Sequence, residues 1–127
     1  MKSIQFETDK KNPGHYSPGM ISGNVLYVSG QLPVSPVDRS IPETFRDQVI
    51  RSLDNVERIL EKAGLTKESV VMCRAYVAGI KNWDEFNIVY REWFGDHKPA
   101  RVVVPVSELH YGALVEIECV AEIESLI

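Results

Sequence analysis

Between Glu43 and Ala63 the apolar residues Phe45, Val49, Leu53, Val56 and Leu60 recur at steps of four, four, three and four, the period of one face of an α-helix. An amphipathic helix is predicted over 43–63, with Gly64 as its stop. Val70 to Ile80 changes to a period of two, with Val71, Cys73, Ala75 and Val77 on one face and Met72, Arg74 and Tyr76 on the other, which predicts a strand. A second helix follows. Asn82 and Glu85 have the spacing of a capping box, and Phe86, Val89, Tyr90 and Trp93 form an apolar stripe ahead of Gly95.

The two ends of the chain are rich in strand signals. A short strand near Ser3 to Glu7 precedes the loop KKNPGHYSPG, after which MISGNVLYVSG reads as a hairpin turning at Gly23–Asn24. Gly30, Pro33 and Pro36 close that pair. Val102 to Ser107 is apolar apart from Pro105, which marks an edge or bulged strand because proline lacks the ladder donor. Leu114 to Ile123 alternates cleanly, with Val115, Ile117, Cys119, Ala121 and Ile123 on one face and Glu116, Glu118 and Glu122 on the other. The pattern predicts one α+β unit over 1–127, a two-layer sandwich with two helices packed on the aliphatic face of a mixed sheet. The second sheet face carries the carboxylates.

Composition narrows the function classes. The 127 residues suffice for a real core without metal or disulfides, and the formal charge of −4, with Lys10-Lys11 as the densest basic run, argues against nucleic acid as a partner. No apolar stretch approaches the roughly 20 residues that span a bilayer, and the N-terminal MKSIQFETDKKNPG lacks the apolar segment of a signal peptide. A cytoplasmic protein with no membrane partner is expected. Two distant cysteines without CxxC or a His/Cys cluster indicate neither a disulfide framework nor a zinc site. Cys73 and Cys119 fall on apolar strand faces and read as inert core residues.

Arg101 stands out in PARVVVPV, residues 99–106. At a strand entrance its planar fork of five donors either points into a cleft or pairs with one of the glutamates. Local pattern leaves both open. It equally leaves Glu116 and Glu118 as either a solvated face or part of a site.

Six motifs then narrow the choice by their order and spacing: YSPG (16–19), VSGQLPV (28–34), QVIRSLDNVERILEKAGL (48–65), FNIVYREWF (86–94), PAR (99–101) and GALVEIECVA (112–121). Together they resemble the RidA (YjgF) family of enamine/imine deaminases over essentially the whole chain. The resemblance implies a chorismate-mutase-like α+β fold assembled as a homotrimer, three sheets forming a barrel-like centre and sites lying in clefts between subunits. It implies that Arg101 grips the carboxylate of a 2-imino acid and that Glu116 orients or activates the attacking water. Tyr16, Ser29, Gly30, Asn87, Ile88 and the backbone of Val103 match positions that line the family's pocket. No cofactor or metal is implied.

Two departures from the family pattern matter. Many relatives carry cysteine where this chain has Val103, so a thiol nucleophile at that position is ruled out, whereas hydrolysis by water is not. His110 stands where relatives often have proline, and it reads as a loop residue, with His15 and His97 having still less claim to a role in catalysis. The expected function is hydrolysis of 2-iminobutanoate or 2-iminopropanoate to 2-oxo acids and ammonia. The alternative is a binding or regulatory trimer that senses 2-oxo acids without catalysis; Glu116 favours the enzyme, because a carboxylate binder needs only the arginine. The nuclease labels found in the family have no basic, aromatic-lined groove in this sequence to rest on.

Overall fold

Eight elements carry the described residues 1–7 and 14–124 of the computed structural model. They are β1 (Lys2–Ile4), β2 (Gly19–Ser22), β3 (Val25–Gln31), α1 (Phe45–Lys62), β4 (Val70–Ala78), α2 (Trp83–Phe94), β5 (Ala100–Val106) and β6 (Val115–Glu122). The strands form one sheet in the order β1-β2-β3-β6-β4-β5. Every neighbouring pair is antiparallel except β4 and β5. That parallel pair needs a crossover, which α2 supplies. Helix α1 packs against β3, β6 and α2, so both helices lie on one face of a mixed sheet, the expected α+β arrangement.

The local causes are visible in each element. Helix α1 starts where the Thr44 hydroxyl accepts the Asp47 amide at 3.1 Å and stops before Gly64, whose φ of 78° is unstrained only for glycine. Its expected apolar face, Phe45, Val49, Leu53, Val56 and Leu60, is buried. Gln48 and Asn55 are buried beside it and tie loops to the helix. Asn55 Nδ2 donates to the carbonyls of Leu32 and Val34 at 3.0 and 2.9 Å. Gln48 donates to the Pro42 carbonyl at 2.9 Å and accepts the Leu114 amide at 2.8 Å. The hairpin turns at Gly23–Asn24 as expected, since Ser22 pairs with Val25. Pro105 lies in edge strand β5.

Several local expectations are corrected. A register shift between Val70 and Met72 turns Val70 into the core and leaves Val71 48% exposed, because the bulge adds a residue to the period-two count; Cys73, Ala75 and Val77 keep their buried face. The capping box at Asn82 does not form. A 3₁₀ turn over Ile80–Asn82 precedes α2, and Asn82 in a helical conformation donates its amide to the Ala78 carbonyl at 2.9 Å. Phe94 completes the buried stripe with Phe86, Val89 and Tyr90, while Trp93 is half-buried with its indole N–H on Asp54 at 3.1 Å. Strand β1 ends at Ile4 instead of Glu7, and Ile123 lies just past β6. Residues 10–13 of the loop KKNPGHYSPG lie outside the described residues.

On β6, Val115, Ile117, Cys119 and Ala121 face the helices and are buried, while Glu116, Glu118 and Glu122 take the outer face. Cys73 and Cys119 are opposite each other in the β4–β6 register, both free and buried. The hydrogen bond to Cys73 and burial push the Cys119 thiol up, so neither property makes it a nucleophile.

Replacing Asn55 with Ala leaves two loop carbonyls without their donor. The expected cost is about 1–3 kcal/mol, read as a lower urea midpoint with unchanged m-value.

Candidate functional site

Arg101 is placed by the β4–β5 register, which sets it beside Cys73 and therefore on the helix-facing side of the sheet. At this edge the sheet is covered by α2. Arg101 Nη1 donates to Asn87 Oδ1 at 3.0 Å, and the guanidinium carbon lies 5.0 Å from the centre of the Tyr90 ring. Asn87 and Tyr90 are three residues apart and share one face of the helix, so a single turn supplies both contacts. Tyr90 is buried and Arg101 exposed. A guanidinium braced from behind, with further N–H donors directed outward, is suited to a carboxylate arriving from solvent. Among the described residues no carboxylate forms an ion pair with Arg101. The structural ion pair left open by the sequence does not form; Glu118 lies near Arg74 instead, at 3.8 Å. Ile88, 42% exposed, follows Asn87 on α2, and Val103 shares the Arg101 face of β5 and packs against the core.

Glu116 occupies the opposite face. It pairs with Tyr76 across β4, and on its other side the irregular register between Val28 and Gln31 brings Gly30 against it. A Cβ at Gly30 would lie 2.9 Å from Glu116 Oε2, so glycine leaves this carboxylate its room. Burial, and after it the Glu118 charge, raises the Glu116 carboxyl above its ordinary range, with His110 acting in the opposite direction. Ser29 anchors the neighbouring loop. Its hydroxyl donates to the Ser17 carbonyl at 2.6 Å and its amide to the Pro18 carbonyl at 2.9 Å. The hydroxyl proton is thus committed, which leaves its lone pairs for a ligand. Tyr16, 57% exposed, directly precedes this tie in the chain.

Two clusters result: Arg101 with Asn87 and Tyr90 at the α2 edge, Ile88 and Val103 beside them, and Glu116 with Gly30 between β3 and β6, Ser29 next in the chain and Tyr16 on the segment that Ser29 ties down. One chain does not bring Arg101 and Glu116 together, because they project from opposite faces of the sheet. Tyr90 was not singled out for function by its sequence; its signal is the three-residue spacing from Asn87 combined with the β5 register. Among the described residues there is no group of three or more His, Cys, Asp or Glu able to hold a metal, and no helix long and apolar enough to cross a membrane. An open depression lined by Glu68, Val71, His97, Lys98 and Glu122 includes neither Arg101 nor Glu116.

Comparison with known proteins adds a family to this geometry. The model for the family described as endoribonuclease L-PSP matches residues 8–123. A RutC family protein of Saccharolobus solfataricus is 40% identical over 124 residues, covering 96% of this chain and 98% of that protein. The 2-iminobutanoate/2-iminopropanoate deaminase of Escherichia coli K12 is 34% identical, over 94% of this chain and 96% of its own. The crystal structure of the E. coli YjgF gene product superposes with a TM-score of 0.89 at 34% identity, covering 96% and 98% of the two chains. E. coli TdcF with bound serine gives 0.90 at 30% identity, covering 98% of this chain and 100% of that one. A family model matched over residues 8–123, with relatives aligned over more than nine-tenths of both chains at these identities, places this chain in the RidA (YjgF) family, whose family model carries the endoribonuclease L-PSP description.

Proposed function

We propose that the protein hydrolyses 2-imino acids such as 2-iminobutanoate and 2-iminopropanoate to 2-oxo acids and ammonia, in clefts completed between the subunits of a homotrimer. The observation that carries this reading is the Arg101 guanidinium, braced by Asn87 and Tyr90 and paired with no described carboxylate. Similarity to the E. coli deaminase supports the reaction class.

The chemistry follows from the two clusters. Arg101 takes the substrate carboxylate in a bidentate pair, which fixes the orientation of the imine carbon next to it. Glu116 from the facing subunit accepts a proton as water adds to that carbon, forming a carbinolamine. The nitrogen gains a proton, the C–N bond breaks with its electron pair leaving on ammonia, and the remaining hydroxyl loses its proton to become the 2-oxo group. One group that takes and returns a proton is sufficient, and a half-buried carboxyl with a raised pKa serves that purpose better than a solvated one. The backbone of Val103 faces the imine nitrogen, Ile88 borders the substrate side chain, and Tyr16 and Ser29 close the cleft from the other subunit. No cofactor enters this scheme.

Assembly has a physical motive too. The outer sheet face mixes carboxylates with Tyr27, half exposed at 50%, and Val102 at 42%. Three such faces turned inward cover this apolar surface and bring an Arg101 cluster of one chain to a Glu116 cluster of the next. In the alternative reading, a trimer that senses 2-oxo acids, Arg101 alone is used.

Four outcomes are expected. Arg101→Ala abolishes ammonia release above the spontaneous rate and weakens 2-oxobutanoate binding by about tenfold to a hundredfold in calorimetry. Glu116→Gln lowers turnover by roughly a hundredfold or more while still binding 2-oxobutanoate; near-normal turnover would leave the sensing trimer as the better reading. Gly30→Ala keeps the thermal midpoint close to wild type but displaces the Glu116 carboxylate, costing about tenfold to a hundredfold in kcat. Activity is also expected to fall on dilution together with the trimer seen by sedimentation; an active monomer would contradict the shared cleft.

A further inference from the structure

On the outer face of the sheet, β4 and β6 place four polar side chains in a compact array. In register, Arg74 stands opposite Glu118 and Tyr76 opposite Glu116. The contacts run along the diagonal. Tyr76 Oη does not donate to the glutamate facing it but to Glu118 Oε1, at 2.6 Å, and Arg74 Nη1 lies 3.8 Å from that same oxygen. Two donors thus converge on one oxygen of one carboxylate. Glu116, two residues earlier on the same strand face, receives neither. Its immediate neighbours are the Tyr76 ring across the ladder and the bare backbone of Gly30, which leaves its Oε2 in close quarters.

This asymmetry has a chemical consequence. Two carboxylates adjacent on one face, partly withdrawn from water, repel each other, and the contacts of Tyr76 and Arg74 go to Glu118, not to Glu116. We propose that Glu118 is a positioning residue for Glu116: the Arg74–Tyr76–Glu118 cluster parks a fixed negative charge beside the reacting carboxyl and makes Glu116 the more basic member of the pair, the one that takes up the proton from water. Tyr76 is the wedge between them, its ring against one glutamate and its hydroxyl on the other. Among the described residues, the titratable groups facing Glu116 are Glu118, His110 and, across the ladder, Tyr76, with Arg74 next along β4 on the same face. From β3 it meets the bare backbone of Gly30. Of the charged groups, Glu118 acts to keep the proton on Glu116 and His110 acts to remove it.

The inference rests on the proposed role of Glu116 in hydrolysis and adds to it a residue that never touches substrate. Added to burial, the negative charge of Glu118 favours a Glu116 that takes up and returns a proton.

The test is the titration of the Glu116 side-chain carboxyl carbon, followed by carbon NMR on the intact ¹³C-labelled protein and assigned with Glu116→Gln. In Glu118→Gln the Glu116 midpoint is expected to fall towards the ordinary carboxylate value, and in Glu118→Asp, which keeps the charge, to stay near the wild-type position. Tyr76→Phe preserves the packed ring and releases the pinned anion, so the midpoint falls part of the way; this variant carries the test if Glu118→Gln does not fold. An unchanged midpoint in Glu118→Gln and Tyr76→Phe, or an equal fall in Glu118→Asp, overturns the proposal. The acid limb of the pH profile for ammonia release should move to lower pH in parallel with the midpoint. Because the NMR titration needs no turnover, a wild-type protein without deaminase activity but with the expected shifts would refute the hydrolytic function and leave the carboxylate pairing standing.

Discussion

Strand β6 hydrogen-bonds to β3 on one side and to β4 on the other, so its register is fixed twice. A slip of one residue would drive Glu116 and Glu118 under the helices and turn Ile117 and Cys119 out to the far face. The cost of burying two unpaired carboxylates makes that slip prohibitive. The rest of the architecture is arranged around this strand: α1 lies across it, Gly30 passes beside its second residue, and Tyr76 and Arg74 reach onto it from β4. Positions on the outer face are therefore as firmly determined as positions in the core.

Much of this was readable in the chain because period and burial coincide. The five apolar residues of α1, the alternation of β6, the turn at Gly23–Asn24 and the edge placement of Pro105 each follow from one local rule. Where the reading failed, a local rule met a long-range one. Counting by twos cannot anticipate an inserted residue, so Val71 was placed inside when the bulge had admitted Val70. Asn82 has the right spacing for a cap, but a 3₁₀ turn had already set its backbone. Gln48 and Asn55 carry no signal in the apolar period, because their partners, the carbonyls of Pro42, Leu32 and Val34, lie in the segment that precedes the helix. At the candidate site, motif resemblance picked out Arg101 and Glu116, whereas pattern alone left each with a mundane explanation. That the two project from opposite faces depends on the Cys73–Arg101 register, formed across a crossover that no local pattern reports.

The family description and the name of the E. coli relative point to different chemistry, one to RNA cleavage and the other to imine hydrolysis. Physical considerations bear unequally on the two. A polyanion approaching this chain meets a net charge of −4 and an outer sheet face bearing Glu116, Glu118 and Glu122. A small carboxylate needs only one braced guanidinium, and its single charge is matched there. The same acidic face that would repel a nucleic acid carries Glu116, the group to which the proposed mechanism assigns the water.

The pairing of Cys73 with Cys119 under the helices has a use unconnected with any reaction. Their side chains lie between the sheet and the helices, where a thiol reagent in solution cannot reach them while the two layers are closed. Labelling of either cysteine is then a clock for the parting of the layers, and where reclosing outpaces labelling its rate, extrapolated to zero denaturant, reports the free energy of that opening. The chain thus carries an intrinsic gauge of its own cooperativity at the point where its two layers meet.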